Sequence, residues 1–376
     1  MTFFPNNLTE PINIKGGQWM GQLSAVGSIL FYIGTFGLSG LMSKVKMQNR
    51  LVKLLLVIIP PVFLATFRYN IGYDYGSYIW AYNNAFDMTY ESILAGYEAG
   101  DPIAYYLITK IATVFNSDRA YLMILAILSL IPGVSYILRE WDDMDTQPMI
   151  IFIYMFSPFI FSFSACKQGI ALSILMFSLK YVYDRKPIKF ALCVGVAFLF
   201  HSTAIVFLSV YFFLNNVGHL STLKKVLIVV GCLFVIMNLQ WILGNVMGGR
   251  YEAYAMDSVE GRNRTFWLYT LIAFIFLLFR KKLVAIDKRN ELLIMMMVVG
   301  AICQFLGFSN AFAKRIGEYF LMAQVFLIPQ CIYLFTENSK KLANLLIVVY
   351  IVAIFLIANP IASSGMGFVP YQFKFW

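Results

Sequence analysis

Apolar runs of membrane-spanning length recur along most of the chain, and no other feature of the sequence limits the fold as strongly. Each run holds about 17–25 residues, enough for a helix to cross a hydrocarbon layer roughly 30 Å thick. The predicted crossings are 22–42, 51–67, 119–138, 148–164, 166–183, 225–243, 265–282, 291–308, 315–335 and 342–358. The sequence therefore predicts an all-α polytopic membrane protein forming a single membrane domain over residues 1–376.

Composition supports a membrane domain and argues against a soluble one. Apolar residues make up 60% of the chain and charged residues 13%, whereas a soluble domain carries roughly 25% charged residues. The net charge of +10 comes from basic residues in short loops beside apolar runs, a pattern that orients a protein in the bilayer and does not indicate a nucleic-acid partner. The five cysteines show no metal-binding spacing and are interpreted as small buried hydrophobes, so no metal site is predicted.

Charge bias predicts the orientation. Basic residues favour cytoplasmic loops, and four groups of them stand out: Lys44, Lys46, Arg50 and Lys53; Arg185, Lys186 and Lys189; Arg280, Lys281, Lys282, Lys288 and Arg289; Lys340 and Lys341. All four can face the cytoplasm only if 102–115 is a short re-entrant or half-buried helix and 190–214 breaks near His201 into two half-spans. About 10–12 transmembrane helices then result, with both termini outside. Because interrupted segments at membrane depth line cavities, the sequence predicts a site on the outer side.

The first outer loop, 68–101, is the longest in the chain and is predicted to contribute to that site. It begins Arg68-Tyr69-Asn70-Ile71-Gly72-Tyr73-Asp74-Tyr75 and continues through Tyr78, with no obvious fold of its own. Its tyrosines suit an interfacial aromatic belt as well as ligand contact. A belt does not explain Arg68 and Asp74, whose charges at the end of a span need partners.

Arginines on the outer side form the most informative charge pattern. Arg250, Arg262 and Arg264 lie in the second outer loop, 244–264, and Arg315 precedes Glu318 and Tyr319 at the start of a span. Outer loops are normally poor in arginine, so the cluster predicts an anionic ligand, and guanidinium forks suit phosphate. The alternative is that Arg315 pairs with Glu318, its i,i+3 neighbour, while the loop arginines bind lipid head groups.

Two further positions have a structural and a chemical interpretation. Lys167 and Gln168 lie at a tight outer turn, where the lysine could extend toward water or contact a ligand. His201 lies at the predicted helix break, as a hydrogen-bonded polar group between helices or as a proton acceptor.

The sequence resembles the EpsG/Wzy-like polysaccharide polymerases of bacterial envelopes. The segment from Arg68 to Tyr78 is similar to the family's R-x-x-[IV]-G-x-D-Y-x-x-Y motif. Further matches are Lys167-Gln168-Gly169-Ile170-Ala171, Phe200-His201-Ser202-Thr203-Ala204, Arg315-Ile316-Gly317-Glu318-Tyr319-Phe320 and Pro370-Tyr371. These short motifs occur in the family's order across nearly the whole chain. Lys167 stands where arginine is more usual, so a bidentate grip on phosphate is not expected there.

The resemblance implies a GT-C-like, metal-independent glycosyltransferase without a cofactor, in the bacterial inner membrane. Such an enzyme joins repeat units of an O-antigen, capsule or exopolysaccharide, carried on undecaprenyl pyrophosphate, at a site facing the periplasm or cell exterior. A chain-length regulator would be a further protein partner. The expected roles are a base at His201 or Asp74, pyrophosphate binding by Arg264, Arg315, Arg250 and Arg68, and substrate contacts from Tyr75, Tyr78, Lys167, Gln168, Glu318 and Tyr319.

Two other functions would suit a basic, aromatic-rich membrane protein. A flippase for lipid-linked oligosaccharide, or another transporter, would be expected to show paired halves, and we find no convincing internal repeat. A multispan sugar acyltransferase could use His201 as its base. Its acyl donor would come from the cytoplasm and would require chemical groups that face inward. The cytoplasmic loops, however, are plain lysine and arginine runs.

Overall fold

The computed structural model of the protein is almost entirely helical. It describes residues 20–98, 102–142, 145–211, 265–308, 311–359 and 367–375, with single positions between 221 and 238. The α-helices of the main ranges are α1 (Ala25–Met42), α2 (Arg50–Phe67), α3 (Tyr75–Asn84), α4 (Tyr90–Glu98), α5 (Ile103–Ala112), α6 (Asp118–Glu140), α7 (Gln147–Tyr154), α8 (Cys166–Tyr183), α9 (Pro187–Phe200), α10 (Phe266–Leu278), α11 (Arg280–Ile286), α12 (Asn290–Leu306), α13 (Ala311–Leu321), α14 (Gln324–Gln330) and α15 (Lys340–Ala358). Short 3₁₀ helices occupy Thr113–Phe115, Ser202–Phe207, Cys331–Leu334 and Glu337–Ser339.

Helix length and apolarity confirm an all-α polytopic membrane protein. Within the described ranges, four stretches are long and apolar enough to cross a bilayer: α1, α2, α6 and the stretch ending with α15. A fifth crossing results if α13 and α14 form one bent span, and five shorter apolar helices of 10–17 residues accompany them. The predicted crossing 225–243 lies mostly outside the described residues.

Helix α8 lies at the centre of the bundle because small residues let its neighbours approach closely. A Cβ atom added to Gly169 would overlap Cβ of Ser162. The Ser173 hydroxyl accepts a hydrogen bond from the main-chain N–H of Gly133 in α6 at 2.9 Å, and it is also bonded to the Tyr154 hydroxyl at 3.1 Å. Close backbone approach combined with interhelical hydrogen bonds is how helices associate in a bilayer.

Two predicted spans are less regular than their apolar runs suggested. In the span predicted at 148–164, a π-helical turn at Met155–Phe159 follows α7, where Pro158 has no N–H to continue the α-helical ladder. The crossing predicted at 315–335 is bent, since α13 and α14 meet at an angle of 45°. At that bend the N–H groups of Ala323 and Val325 bond three residues back, to Phe320 and Met322, which tightens the chain locally.

Both interrupted segments inferred from the charge bias are present. Helix α5 has 10 residues, too short to span a bilayer, and its sides differ: Tyr105 is buried while Ile111 is exposed. Helix α9 ends at Phe200, and His201 adopts extended backbone angles before the 3₁₀ helix begins at Ser202. The predicted break near His201 is therefore confirmed.

The first loop has a fold of its own, contrary to the expectation from the sequence. Helices α3 and α4 both lie between 68 and 101. The start of α4 is fixed by reciprocal hydrogen bonds between Thr89 and Ser92, each main-chain N–H donating to the other's hydroxyl. This arrangement resembles a capping box with serine in place of the usual glutamate. The loop was misjudged because its helices are short and amphipathic signals are weak over ten residues or fewer.

A segment late in the chain ties the first loop to the bundle. Residues 367–375, here called the strap, contain β2 (Gln372–Lys374), which pairs antiparallel with β1 (Met20–Gln22). The strap also pairs with the end of α2, through a bridge between Arg68 and Phe373 and a hydrogen bond from the Tyr69 N–H to the Gln372 carbonyl. The first loop is therefore held by main-chain pairing to residues about 300 positions away.

The bundle has two chemically different ends. At one, called the basic end, acidic residues near the α6–α7 junction interact with members of three basic groups and with Lys180, which lies on α8 just before the second group. The interactions are the ion pairs Lys53–Asp142 at 2.9 Å and Lys180–Glu140 at 2.5 Å, a hydrogen bond from Arg289 to the Glu140 carbonyl at 2.8 Å, and the charge of Asp145 acting on Lys340. The opposite end, called the site end, carries the Arg68–Asp74 turn, the start of α8 and the strap.

Candidate functional site

The turn from Arg68 to Asp74 has one backbone shape that only glycine suits. Gly72 has φ of 97°, a region that residues with a Cβ rarely enter. A Cβ on Gly72 would also overlap the Phe163 carbonyl oxygen. The N–H of Tyr73 donates to Ser164 Oγ at 3.0 Å. Glycine is thus needed for Asp74 to be presented beside the turn that precedes α8.

Arg68 lies beneath this turn and is not displayed on a surface. Its side chain is buried, with the guanidinium carbon 4.1 Å from the Phe163 ring centroid and 5.9 Å from that of Tyr75. Nε and Nη1 are buried without a hydrogen-bond partner among the described residues. In this structure the guanidinium of Arg68 packs against aromatic rings, and direct pyrophosphate binding by this residue remains a prediction.

Arg119, which was not among the predicted site residues, organises the same turn. Its Nη1 donates to the carbonyls of Thr66 and Arg68 at 3.1 and 2.8 Å, and its Nη2 donates to the Tyr75 hydroxyl at 3.0 Å. A guanidinium with several fixed donors suits this role, because it satisfies main-chain carbonyls left open where α2 ends. The available signal was an arginine at the very start of a predicted crossing.

Tyr75 and Tyr78 are largely internal to the protein. Both are buried, and the Tyr78 hydroxyl accepts a hydrogen bond from the Cys166 N–H at 2.7 Å. Their hydroxyls therefore join α3 to the starts of α6 and α8. This favours a supporting role for the two tyrosines over the direct substrate contact expected from the sequence.

Lys167 and Gln168 extend from the start of α8 in different directions. The Lys167 ammonium lies 4.6 Å from the ring centroid of Tyr105 and 5.2 Å from that of Tyr106. Two aromatic rings of the half-buried helix α5 therefore make cation–π interactions with Lys167. Gln168 is buried and donates from Nε2 to the Arg315 carbonyl at 2.6 Å. That bond fixes α13 against α8, which makes Gln168 a structural link.

His201 is held by two hydroxyl groups. Its Nδ1 lies 2.7 Å from Thr203 Oγ1 and 3.2 Å from the Tyr319 hydroxyl, and these two oxygens are 2.9 Å apart. Thr203 and Tyr319 are both buried. The imidazole is thus anchored where α9 ends, by residues from the 3₁₀ helix and from α13.

Glu318 has neighbours other than the arginine three residues before it. Its carboxylate accepts a hydrogen bond from Gln304 Nε2 at 3.0 Å, and the charge of Lys314 acts on it. Lys314 and Arg315 are both exposed at the beginning of α13. Close packing of α13 on α12 places Glu318 there, since a Cβ on Gly317 would touch Cys303 at 3.0 Å.

Electrostatics connects four motifs that lie far apart in the sequence. The positive charges of Arg315 and Lys167 act on Asp74, and the same two charges act on His201. Partial burial raises the pKa of Asp74 above its usual value, while Arg315 and Lys167 lower that pKa in part. The arrangement combines two cations that can bind an anion with two groups that can accept a proton.

The remaining predicted site residues belong to the second outer loop, 244–264. Arg250, Arg262 and Arg264, together with that loop, lie outside the described residues. In the part of the chain that the structure does describe, no group of three or more histidine, cysteine, aspartate or glutamate side chains could hold a metal ion.

The fold and its site end define a polytopic membrane protein with a cationic site beside the bundle's broken helices. The sequence model of the EpsG family matches residues 51–373, so the chain belongs to the EpsG family, which confirms the resemblance found in its motifs. Membership indicates an exopolysaccharide polymerase-type role in polysaccharide biosynthesis. No curated protein and no solved structure matches the chain.

Proposed function

We propose that the protein is a glycosyltransferase-type polymerase that joins oligosaccharide repeat units carried on undecaprenyl pyrophosphate. The observation that carries the proposal is the gathering of Asp74, Lys167, His201 and Arg315 from four separate motifs, with both cations acting on both candidate bases. A lipid-linked pyrophosphate donor needs cations at the edge of a bilayer, and an acceptor hydroxyl needs a base.

The cations would stabilise the leaving group. Arg315 offers a guanidinium fork to the pyrophosphate, and Lys167 offers a point charge held on the rings of Tyr105 and Tyr106. As the bond between the anomeric carbon and the phosphate oxygen breaks, negative charge grows on that oxygen, which fixed positive charges stabilise. Arg264 and Arg250 would add to this set. Because pyrophosphate leaves readily, the scheme needs neither a general acid nor a metal ion.

The base would take the proton of the acceptor hydroxyl. The acceptor oxygen then forms a bond to the anomeric carbon, and undecaprenyl pyrophosphate leaves with the electron pair of the broken bond. Asp74 and His201 are the two groups of the site able to accept that proton. Their placement supports either assignment, and the variants described below separate them.

The site would face the periplasm or cell exterior of a bacterium, from the inner membrane. At the opposite end of the bundle, Glu140, Asp142 and Asp145 interact with members of three of the four basic groups and with Lys180, which lies just before the remaining group. Basic loops are normally retained in the cytoplasm. This supports an outward orientation for the site end, where lipid-linked repeat units would be presented and a chain-length regulator could bind.

A matched pair of neighbours on α13 provides the test. Arg315→Ala removes a cation that acts on Asp74 and His201, whereas Lys314→Ala removes an adjacent exposed cation that acts on Glu318. In a strain lacking the native gene, we expect Arg315→Ala to abolish polymer while lipid-linked single repeat units accumulate, and Lys314→Ala to restore normal chain length. Normal polymer from Arg315→Ala, at equal expression, would refute the pyrophosphate role.

Purified protein in liposomes separates polymerisation from the other two functions. Lipid-linked repeat units supplied on the outer face should be converted to longer lipid-linked chains without net transport. Movement of unpolymerised substrate between leaflets would instead identify a flippase. Modification of the glycan that depends on an added acyl donor would identify an acyltransferase.

A further inference from the structure

In the hydrogen-bonded group formed by His201, Thr203 and Tyr319, two hydroxyl groups lie against the same imidazole nitrogen. Thr203 Oγ1 lies 2.7 Å from Nδ1 of His201, and the Tyr319 hydroxyl lies 2.9 Å from that oxygen and 3.2 Å from the same nitrogen. A neutral imidazole has one protonated and one unprotonated nitrogen, and the hydrogen bond at one nitrogen decides which is which. We propose that Thr203 and Tyr319 are positioning residues that fix the orientation and the tautomer of His201.

The backbone leaves His201 dependent on such partners. Helix α9 ends at Phe200, and the extended conformation of His201 takes its side chain out of the helical register. A side chain at such a break is not oriented by helix packing, so its direction is set by hydrogen bonds. Thr203 and Tyr319 are both nearly inaccessible, at 1% and 0% exposure, and their hydroxyl positions are fixed by the surrounding core.

Tyr319 also connects the imidazole to the candidate anion site. Arg315 and Tyr319 are four residues apart on α13 and therefore lie on the same helix face. The same turn is tied to α8 by the bond from Gln168 to the Arg315 carbonyl, and to the 3₁₀ helix by contact between the rings of Phe207 and Phe320. One turn of α13 thus carries both the cation and the anchor of His201, so α13 sets the relative position of anion and base.

Nitrogen-15 NMR of histidine-labelled protein in nanodiscs tests the tautomer directly, without relying on activity. The chain contains two histidines, His201 and His219, and a His219→Gln variant assigns the signals. We expect His201 to show one tautomer, and Thr203→Val and Tyr319→Phe each to give a mixture or the opposite tautomer. Thr203→Ser keeps the hydroxyl and should keep the native spectrum. Unchanged His201 signals in both Thr203→Val and Tyr319→Phe would overturn the inference.

The effect on catalysis rests on the proposed function. If His201 is the base, kcat should fall about tenfold in Thr203→Val and in Tyr319→Phe, which is less than the roughly 10²–10⁴-fold that the base itself contributes. KM for the lipid-linked substrate should change little, and Thr203→Ser should recover most of the rate. Altered NMR signals with unaltered polymerisation would leave the positioning role standing and remove His201 as the base.

Discussion

Gly72 is the position where one added carbon atom should disturb the site most. Its φ of 97° and the overlap that a Cβ would make with the Phe163 carbonyl oxygen both oppose any side chain. We expect Gly72→Ala to lower the free energy of unfolding by about 1–3 kcal/mol, the usual cost of such backbone strain. Thermal unfolding in detergent measures the loss.

Gly76 provides the control for that substitution. It lies in α3 of the same loop, and a Cβ there would meet nothing within 4 Å. Gly76→Ala should be neutral or stabilise the protein by up to about 1 kcal/mol, because alanine favours a helix. Equal destabilisation by both variants would show that the loop tolerates no change, and the backbone shape at Gly72 would not be the cause.

The acid limb of the pH–rate profile should show whether Asp74 must be deprotonated for activity. A carboxylate base is active when deprotonated, so activity is present above its pKa and is lost as the pH falls through it. Burial raises that pKa, and Lys167 lowers it in part. Lys167→Met should therefore raise the pKa of Asp74 further and move the acid limb to higher pH. A limb that stays in place in Lys167→Met and persists in Asp74→Asn would exclude Asp74 as the group responsible.

At the scale of elements, the end of α2 shows how the strap stabilises the bundle. A helix leaves its last carbonyls without partners, and here the Tyr371 hydroxyl donates to the Leu64 carbonyl at 2.5 Å while Arg119 donates to that of Thr66. Tyr371→Phe should therefore lower the free energy of unfolding by about 1–3 kcal/mol, since a buried carbonyl loses its donor.

A tyrosine without a hydrogen bond gives the matched control. The Tyr350 hydroxyl in α15 is buried with no partner among the described residues, so Tyr350→Phe removes a polar atom and breaks no bond. The midpoint of thermal unfolding of Tyr350→Phe should equal or exceed that of the unsubstituted protein. If Tyr371→Phe behaves the same way, the hydroxyl of Tyr371 does not cap α2.

The helices were predictable from sequence where apolar runs and loop charges constrain them. The bounds of α1, α2, α6, α8 and α15 follow the predicted crossings closely, and the break at His201 followed from charge bias alone. The bend between α13 and α14 was not predictable, because it arises from three-residue hydrogen bonds around Ala323 and Val325, where the sequence has no proline or glycine. Helices α3 and α4 were missed because ten residues or fewer carry little periodic signal.

At the scale of the whole molecule, the separation of the basic end from the site end predicts opposite accessibility to a reagent that cannot cross the membrane. Glu91 in the first loop and Lys46 between α1 and α2 are both exposed. In a background with native cysteines replaced by alanine, a charged maleimide added to intact cells should label Glu91→Cys and spare Lys46→Cys. Permeabilised cells, as the control, should label both. The reverse pattern in intact cells would place the site in the cytoplasm and contradict polymerisation at the outer leaflet.

Of the residues predicted for the site, Asp74, Lys167, His201 and Arg315 have an unusual charge or chemistry for a membrane face, and electrostatics connects these four. Arg119, Thr203 and Tyr371 drew no attention as candidates for roles of their own, because their roles depend on partners far away in the chain. The bond from Tyr371 to Leu64 spans 307 residues. Such contacts exist only in the packed bundle. The sequence therefore indicates which residues give a site its chemistry more readily than which residues hold them in place.

The strap is synthesised late, although it pairs with a loop that is synthesised early. Strand β2 follows every described helix in the chain, and helices of a growing membrane protein insert as they are made. Until the strap emerges, Arg68 and Tyr69 lack their main-chain partners and the Leu64 carbonyl lacks its bond from Tyr371. A nascent chain can therefore have every described helix in place while its early loop still lacks the hydrogen bonds that the strap supplies.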